Sequence, residues 1–207
     1  ALRAGLPKAE LVDVTPLMSE MRAIKSPGEL AIMREAYARD AQAIQAAFGE
    51  SRPGDTTREI ASRVEAELAK RGISFAFALV CAGPGFLRAP SSAAWEEGRI
   101  LHIDAGGTLR DYVADICRMG CMGDPPPLAD ELYRACISVQ DEVRSMIRAG
   151  TPCRAVVEAG ERASRAFPFS EYARFVVHGI GMVPYEEPTF SPSSERLLAA
   201  GMVLSVE

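Results

Sequence analysis

The stretch that decides the fold is Ile100 to Arg118, ILHIDAGGTLRDYVADICR. Its first part, Ile100 to Ala105, is apolar with β-branched residues, and Asp111 to Cys117 resumes that pattern. Gly106-Gly107 between the two parts is typical of a tight hairpin turn. The stretch therefore predicts two antiparallel strands that are joined at the two glycines.

Each predicted strand carries one carboxylate among apolar neighbours, Asp104 in the first and Asp115 in the second. The two-residue period places His102 and Asp104 on one face of the first strand, and Val113, Asp115 and Cys117 on one face of the second. In a paired hairpin both carboxylates can point into one pocket, where they repel unless a proton or a cation lies between them. A divalent metal is the simplest explanation. An Asp within a strand can also be a turn residue, an edge device or half of an ion pair.

Composition limits the kind of protein. The 207 residues, 48% hydrophobic and 25% charged, are typical of a globular protein with one sizeable domain or two small ones. No apolar run reaches the roughly 18 residues of a membrane span, and the beginning of the chain lacks a signal-peptide pattern. Scattered basic residues and a net charge of −5 disfavour nucleic acid as a partner. We therefore predict neither a membrane nor a nucleic-acid partner.

The cysteines indicate a cellular compartment. Their number is odd and their spacing is not that of a zinc site. This pattern favours free thiols in a reducing cytoplasm. The five are Cys81, Cys117, Cys121, Cys136 and Cys153.

The helical pattern begins at Ser26-Pro27-Gly28-Glu29, in which Ser caps a helix and Glu follows three residues later. A long amphipathic helix to about Phe48, a helix from Thr57 to Arg71 and a strand from Ser74 to Cys81 are predicted after it.

The same order recurs later: a long helix over about Leu128–Arg148, a helix that ends near Ala166, and a strand over Tyr172–Val177. The recurrence predicts two similar halves with a site where they meet.

The end of the chain adds further candidate residues. His178 is followed by Gly179-Ile180-Gly181, and glycines let the backbone pass close to whatever the imidazole contacts. A lone His at a strand end is more often structural. Glu207 stands just after an apolar strand pattern, Met202–Val206, and a chain that stops there suggests a fragment without its last strands.

The ordered set of Asp104, Asp115, His178 and Glu207 resembles the metal site of the pita-bread metallopeptidases, which include Xaa-Pro aminopeptidases, prolidases and creatinase-like enzymes. IKSPGELAIMREA, which begins at Ile24, is also similar to the start of the catalytic domain in the Xaa-Pro branch. The resemblance implies an α+β pita-bread fold with two pseudo-symmetric halves and a curved, mainly antiparallel sheet with helices on its outer face. It implies a catalytic domain over residues 21–207, preceded at 1–20 by a linker or the end of an upstream domain.

The resemblance also implies two divalent ions of Mn, Co, Fe or Zn that activate a bridging water. By position, Asp104 would bind the first ion, Asp115 would bridge, and His178 with Glu207 would bind the second. The family's other bridging Glu has no counterpart within the 207 residues, so the ions could be lost from such a fragment. Carboxylates and one imidazole suit Mn, Fe or Co.

Several positions depart from the family pattern. An upstream His is replaced within Leu87-Arg88-Ala89-Pro90, and a later His by Tyr185. His102 is predicted to join the first ion's shell or to handle protons, and Tyr185 to donate a hydrogen bond to a developing oxyanion; ordinary packing is the alternative for both. Glu186 is assigned to substrate binding.

The resemblance thus implies a metal-dependent hydrolase of a peptide or small amide, nearest to Xaa-Pro peptidases, that is a homodimer when full length. One alternative is a non-peptidase enzyme of the creatinase, ectoine-hydrolase or sulfonium-lyase type. The other is a non-catalytic binding domain.

Overall fold

The computed structural model describes residues 2–83, 85, 87–167 and 169–207, the side chain of Leu2 excepted. Strands β1, β2 and β3 form one antiparallel sheet in that order, and β4 pairs antiparallel with β5. In chain order the elements are α1 Leu2–Gly5, α2 Thr15–Ala23, α3 Pro27–Glu50, α4 Thr57–Lys70, β1 Ser74–Ala82, β2 Ile100–Leu109, β3 Tyr112–Cys121, α5 Pro127–Met146, α6 Cys153–Arg165, β4 Val177–Gly179 and β5 Leu204–Val206.

The element order confirms the predicted recurrence, because two helices and then a strand occur in both halves. Helices α1 and α2 lie largely within the segment predicted as a linker. No helix among the described residues combines the length and the apolar character that crossing a membrane requires.

The two helices of the first half begin as their sequences predict. At α3 the Ser26 side chain accepts a hydrogen bond from Glu29 N, while the Glu29 carboxylate accepts one from Ser26 N. The same reciprocal arrangement joins Thr56 and Glu59 at α4. These capping boxes satisfy amides that would otherwise lack partners at the helix starts.

The predicted position of the hairpin turn is wrong. Gly106 and Gly107 lie inside β2, and the turn is formed by Arg110 and Asp111, whose φ angles are 48° and 68°. The glycines are required for a different reason: a Cβ on Gly107 would lie 2.1 Å from Cγ2 of Ile73, and one on Gly106 would lie 2.4 Å from the Ala114 carbonyl oxygen. Close packing therefore explains the glycine pair.

The main core lies between the three-stranded sheet and the helices α3 and α4. One face of β2 and β3 is apolar and buried, as the two-residue period requires. Trp95, the single tryptophan, is buried in the same core. The buried residues of this face are Leu101, Ile103, Ala105, Ala114 and Ile116.

The strand predicted over Tyr172–Val177 is also wrong in extent, since β4 covers only Val177–Gly179. Tyr172 N donates to Phe169 O at 2.9 Å and Ala173 N to Ser170 O at 3.1 Å, so these amides serve turns and not a ladder. Tyr172 is 81% exposed and has no core to pack against. This segment therefore becomes a strand only from Val177 onward, where β5 lies beside it.

Contacts between the halves bring the end of β4 beside β3. Val113 N donates to Gly181 O at 2.8 Å, and Lys25 N donates to Gly201 O at 2.9 Å. The Lys25 ammonium also contacts the Glu186 carboxylate at 2.6 Å. These contacts fix the place where residues of both halves can form one site.

Candidate metal site

Three of the predicted ligands converge. One ligand atom from each of Asp115, His178 and Glu207 lies within 4.8 Å of the other two. Asp115 comes from β3 in the first half, and the other two come from β4 and from the residue after β5 in the second half. The group therefore lies where the halves meet, as the recurrence predicts.

The pairing of β4 with β5 orients two of these side chains. His178 lies opposite Ser205, and Glu207 is two residues beyond Ser205, so the period of two places both side chains on one face. Glu207 N donates to Val176 O at 2.8 Å, and Val176 N donates to Glu207 O at 3.0 Å. These two hydrogen bonds continue the pairing past the end of β5. The ladder thus holds Glu207 next to the imidazole.

The hydrogen bonds of His178 define which ring nitrogen is available. Nδ1 lies 3.1 Å from the Gly179 carbonyl oxygen, which can only accept, so Nδ1 carries a proton. Nε2 lies 3.3 Å from Oε1 of Glu207 and faces the site. The carboxylate can only accept, so Nε2 carries a proton in this contact. Loss of that proton leaves a neutral imidazole whose Nε2 can bind a metal while Nδ1 stays bonded to Gly179.

The charges at the site favour a cation. Burial, together with the negative charge of Glu207, raises the pKa of Asp115. Burial opposes a charge on His178, but hydrogen bonding to Glu207 and Gly179 raises its pKa overall. The hydrogen bond from His178 lowers the pKa of Glu207. Two carboxylates and an imidazole in this arrangement fit one divalent ion, which would relieve the repulsion between Asp115 and Glu207.

Asp104 lies outside this group of three. Its side chain is largely buried, and its Oδ2 accepts a hydrogen bond from Nη2 of Arg88, with which it forms an ion pair. Asp104 shares a face with Asp115, because Asp104 lies opposite Cys117 and Asp115 lies opposite Gly106. The predicted common face is thus present. On this face Asp104 is paired with Arg88, whereas Asp115 belongs to the group of three.

His102 lies two residues before Asp104 on the same face, as the sequence predicts. Its Nε2 is 2.9 Å from the Cys117 sulfur. Burial lowers the pKa of His102, which favours the neutral imidazole. Its roles in an ion's shell or in proton handling stay predictions.

The remaining two predicted residues have different surroundings. Tyr185 stacks on His178 with ring centroids 4.1 Å apart, and its side chain is mostly exposed. Glu186 points instead into a buried ion pair with Lys25, with Arg22 at 3.7 Å. This ion pair joins Glu186 to the segment before α3, and the assignment of Glu186 to substrate binding stays a prediction.

The sequence did not reveal two residues that form ion pairs with predicted site residues, Arg88 with Asp104 and Lys25 with Glu186. Arg88 lies in the segment where the sequence resemblance implies a histidine, and its positive charge could have indicated a partner for Asp104. Lys25 precedes the cap of α3 and carried no recognisable pattern. Its partner Glu186 is 161 residues away in sequence.

An antiparallel sheet covered by long helices, with a carboxylate and imidazole site between two similar halves, defines the pita-bread class of metal-binding domains. The chain belongs to metallopeptidase family M24, whose family model matches residues 31–207. This assignment confirms the family and the fold that the sequence resemblance implied. Enzymes of this family are metal-dependent hydrolases.

Relatives and solved structures agree with this assignment. The chain is 27% identical to an Xaa-Pro dipeptidase of Pyrococcus horikoshii over 204 residues, which cover 96% of this chain and 58% of that protein. The crystal structure of the prolidase from Pyrococcus horikoshii OT3 superposes with a TM-score of 0.90 at 26% identity, over 99% of this chain and 61% of that one. A dipeptidase from Mycobacterium ulcerans gives a TM-score of 0.88 at 26% identity, over 99% and 57%. The chain thus spans about three fifths of the length of these relatives.

Proposed function

We propose that the protein is a metal-dependent hydrolase that cleaves a small peptide or amide bond, with Xaa-Pro dipeptides as the first class of substrate. The convergence of Asp115, His178 and Glu207 carries this proposal. The relatives named Xaa-Pro dipeptidase and prolidase support it.

In this proposal Asp115, His178 and Glu207 hold a divalent ion. Such an ion, when bound, supplies Lewis acidity that polarises a carbonyl and makes water a better nucleophile near neutral pH. The Gly179 carbonyl keeps Nδ1 of His178 protonated, so that Nε2 remains a ligand. Ser205 Oγ, 3.1 Å from Oε1 of Glu207, donates a hydrogen bond that orients this carboxylate.

Tyr185 is the candidate for binding the substrate. Its ring covers one face of the His178 imidazole while its side chain stays accessible, so the phenol can reach a substrate carbonyl. Burial, together with nearby negative charge, raises the pKa of Tyr185, so the phenol keeps the proton that it would donate. Manganese as the metal, a pair of ions, a homodimer and a cytoplasmic location stay predictions from the sequence.

The test compares two variants of the full-length protein that each remove one negative charge from the same hairpin. Asp115→Asn should lose the metal, because an amide is a much weaker ligand than a carboxylate, and hydrolysis of X-Pro dipeptides should fall with it. Asp111→Asn is the matched control: Asp111 is exposed in the turn, and Asn also tolerates its positive φ. Elemental analysis and a dipeptide assay give the result. Full metal content in Asp115→Asn would contradict the proposed site.

The second candidate function is non-peptidase chemistry at the same site, on a small amide, amidine or sulfonium compound. The Arg88–Asp104 ion pair favours this second function. The pair places a guanidinium in the segment where the sequence resemblance implies a histidine of the peptidases. A metal-loaded protein that cleaves none of a panel of X-Pro dipeptides would support this second function over the first.

A further inference from the structure

The Arg88–Asp104 ion pair has consequences for how many ions the site can hold. Asp104 is 8% exposed, and its oxygen Oδ2 is bonded to the Arg88 guanidinium. A guanidinium is permanently charged and offers several donors in a planar fork, which suits a carboxylate. A second ion that used Oδ2 of Asp104 would have to displace this group.

Hydrogen bonds hold the backbone at Arg88 itself and again after it. Val80 N, in the edge strand β1, donates to the Arg88 carbonyl oxygen at 2.8 Å. Three residues later, Ser91 N donates to Thr57 Oγ1 at 2.8 Å, at the start of α4. The guanidinium is therefore presented to Asp104 from a held segment, which lowers the entropy cost of keeping it there.

The charge of Arg88 also acts on the group of three. Arg88 contacts Asp104, which lies on the same face of the sheet as Asp115, so its positive charge is placed on the face that carries this ligand. Arg88 thus neutralises part of the negative charge for which a second cation would otherwise be needed.

We propose that the Arg88 guanidinium takes the place of one of two ions, so that this protein binds a single divalent cation at Asp115, His178 and Glu207. The inference rests on the proposed function, because it assumes that this group of three is a metal site. It departs from the pair of ions that the sequence resemblance implies, and it assigns Asp104 to Arg88 and not to a metal.

The experiment measures metal stoichiometry and not activity. Metal-free full-length protein is titrated with Mn²⁺, bound metal is determined by elemental analysis, and the sample is examined by electron paramagnetic resonance. The wild type should bind one equivalent, with the spectrum of an isolated Mn²⁺. Arg88→Ala frees Asp104 and should gain a second equivalent, with the spectrum of a coupled pair. Arg88→Lys keeps the positive charge and should stay at one equivalent.

Two equivalents in the wild type, or an Arg88→Ala variant that still binds one, would overturn the inference and leave the proposed function intact. No bound metal in the wild type would instead contradict the proposed function and, with it, the inference. If Arg88→Ala does not fold, Asp104→Asn decides the matter. It should retain the single equivalent that Asp115→Asn loses, and loss of metal from Asp104→Asn would overturn the inference.

Discussion

The two halves of the molecule share an order of elements but differ in helix capping, strand length and the size of the core. In the first half, α3 and α4 start with capping boxes, and strands of nine and ten residues cover a large buried core. In the second half, α5 and α6 follow Pro126 and Pro152, and neither has a side-chain cap within the described part of the chain. The strands β4 and β5 have three residues each.

The difference teaches how the site is positioned. Asp115 lies on a long strand with its own core, whereas His178 and Glu207 come from a short ladder beside a smaller core. The second half gains its place from contacts with the first half, such as Val113 N to Gly181 O and the Lys25–Glu186 ion pair. Breaking these contacts should therefore cost more than weakening an element within either half.

The largest expected effect comes from Lys25→Met. Both side chains of the Lys25–Glu186 pair are 1% exposed, and loss of the ammonium leaves a buried carboxylate with only Arg22 nearby. Removing one member of a buried ion pair costs about 3–5 kcal/mol. Urea unfolding followed by circular dichroism should show this loss in the free energy of unfolding.

Arg134→Met is the control for this ion pair. It removes an exposed pair with Asp130 on α5, and such pairs contribute about 0–1 kcal/mol. A Lys25→Met variant as stable as Arg134→Met would contradict the importance of the contact between the halves. In the double variant Lys25→Met/Glu186→Leu the loss should be smaller than in Lys25→Met alone, because no buried charge is left.

The next effect should come from Gly107→Ala in the first half. The added methyl group would meet Cγ2 of Ile73 at 2.1 Å and the Ser74 carbonyl oxygen at 3.1 Å, so the core or the strand must shift. Overpacking of this kind costs about 1–3 kcal/mol. The same substitution at Gly49 in α3 meets nothing within 4 Å and should stabilise by about 0.5–1 kcal/mol, because Ala favours a helix. Fluorescence of Trp95 during urea unfolding reports both changes, and effects of the same sign would contradict the packing argument.

Asp40 gives the first half a dependence on pH. It is fully buried in α3, and neither carboxylate oxygen has a hydrogen-bond partner among the described residues. Burial, then the charge of Asp115, raises its pKa to about 7, while Arg118 opposes the shift. The folded state thus keeps a proton that the unfolded state loses, so stability should fall as pH rises from about 4 to 7.

The variant Asp40→Asn has no proton to lose and should abolish this part of the pH dependence. Its free energy of unfolding at pH 8 should exceed that of the wild type, by about 1–3 kcal/mol if the amide is accommodated without strain. Urea unfolding at pH 5, 6, 7 and 8 gives both slopes. Equal slopes in the two proteins would contradict a raised pKa at Asp40.

Local patterns in the sequence were sufficient for the helices and for part of the site. Ser26 and Glu29 predict their capping box because both members lie within one turn, and the carboxylate of Asp115 stands out among apolar neighbours. The turn at Arg110-Asp111 was missed because Gly106-Gly107 looks the same whether it serves a turn or a close approach inside a strand. The partners of Asp104 and Glu186 were missed because a contact between distant segments leaves no periodic pattern.

The smallest expected effect concerns the capping that distinguishes the halves. Ser26→Ala removes the side chain that accepts from Glu29 N, and loss of such a cap costs about 0.5–2 kcal/mol. Hydrogen bonding to Ser26, then to Tyr112, lowers the pKa of Glu29 to about 2, so its contribution is present above pH 4.5 and is lost as pH falls toward 2. The variant should raise the Glu29 pKa in an NMR titration.

Ser138→Ala, in the exposed middle of the uncapped α5, should instead stabilise slightly, because Ala has the higher helix propensity. If both serines gave the same change, capping would not be what separates the two halves.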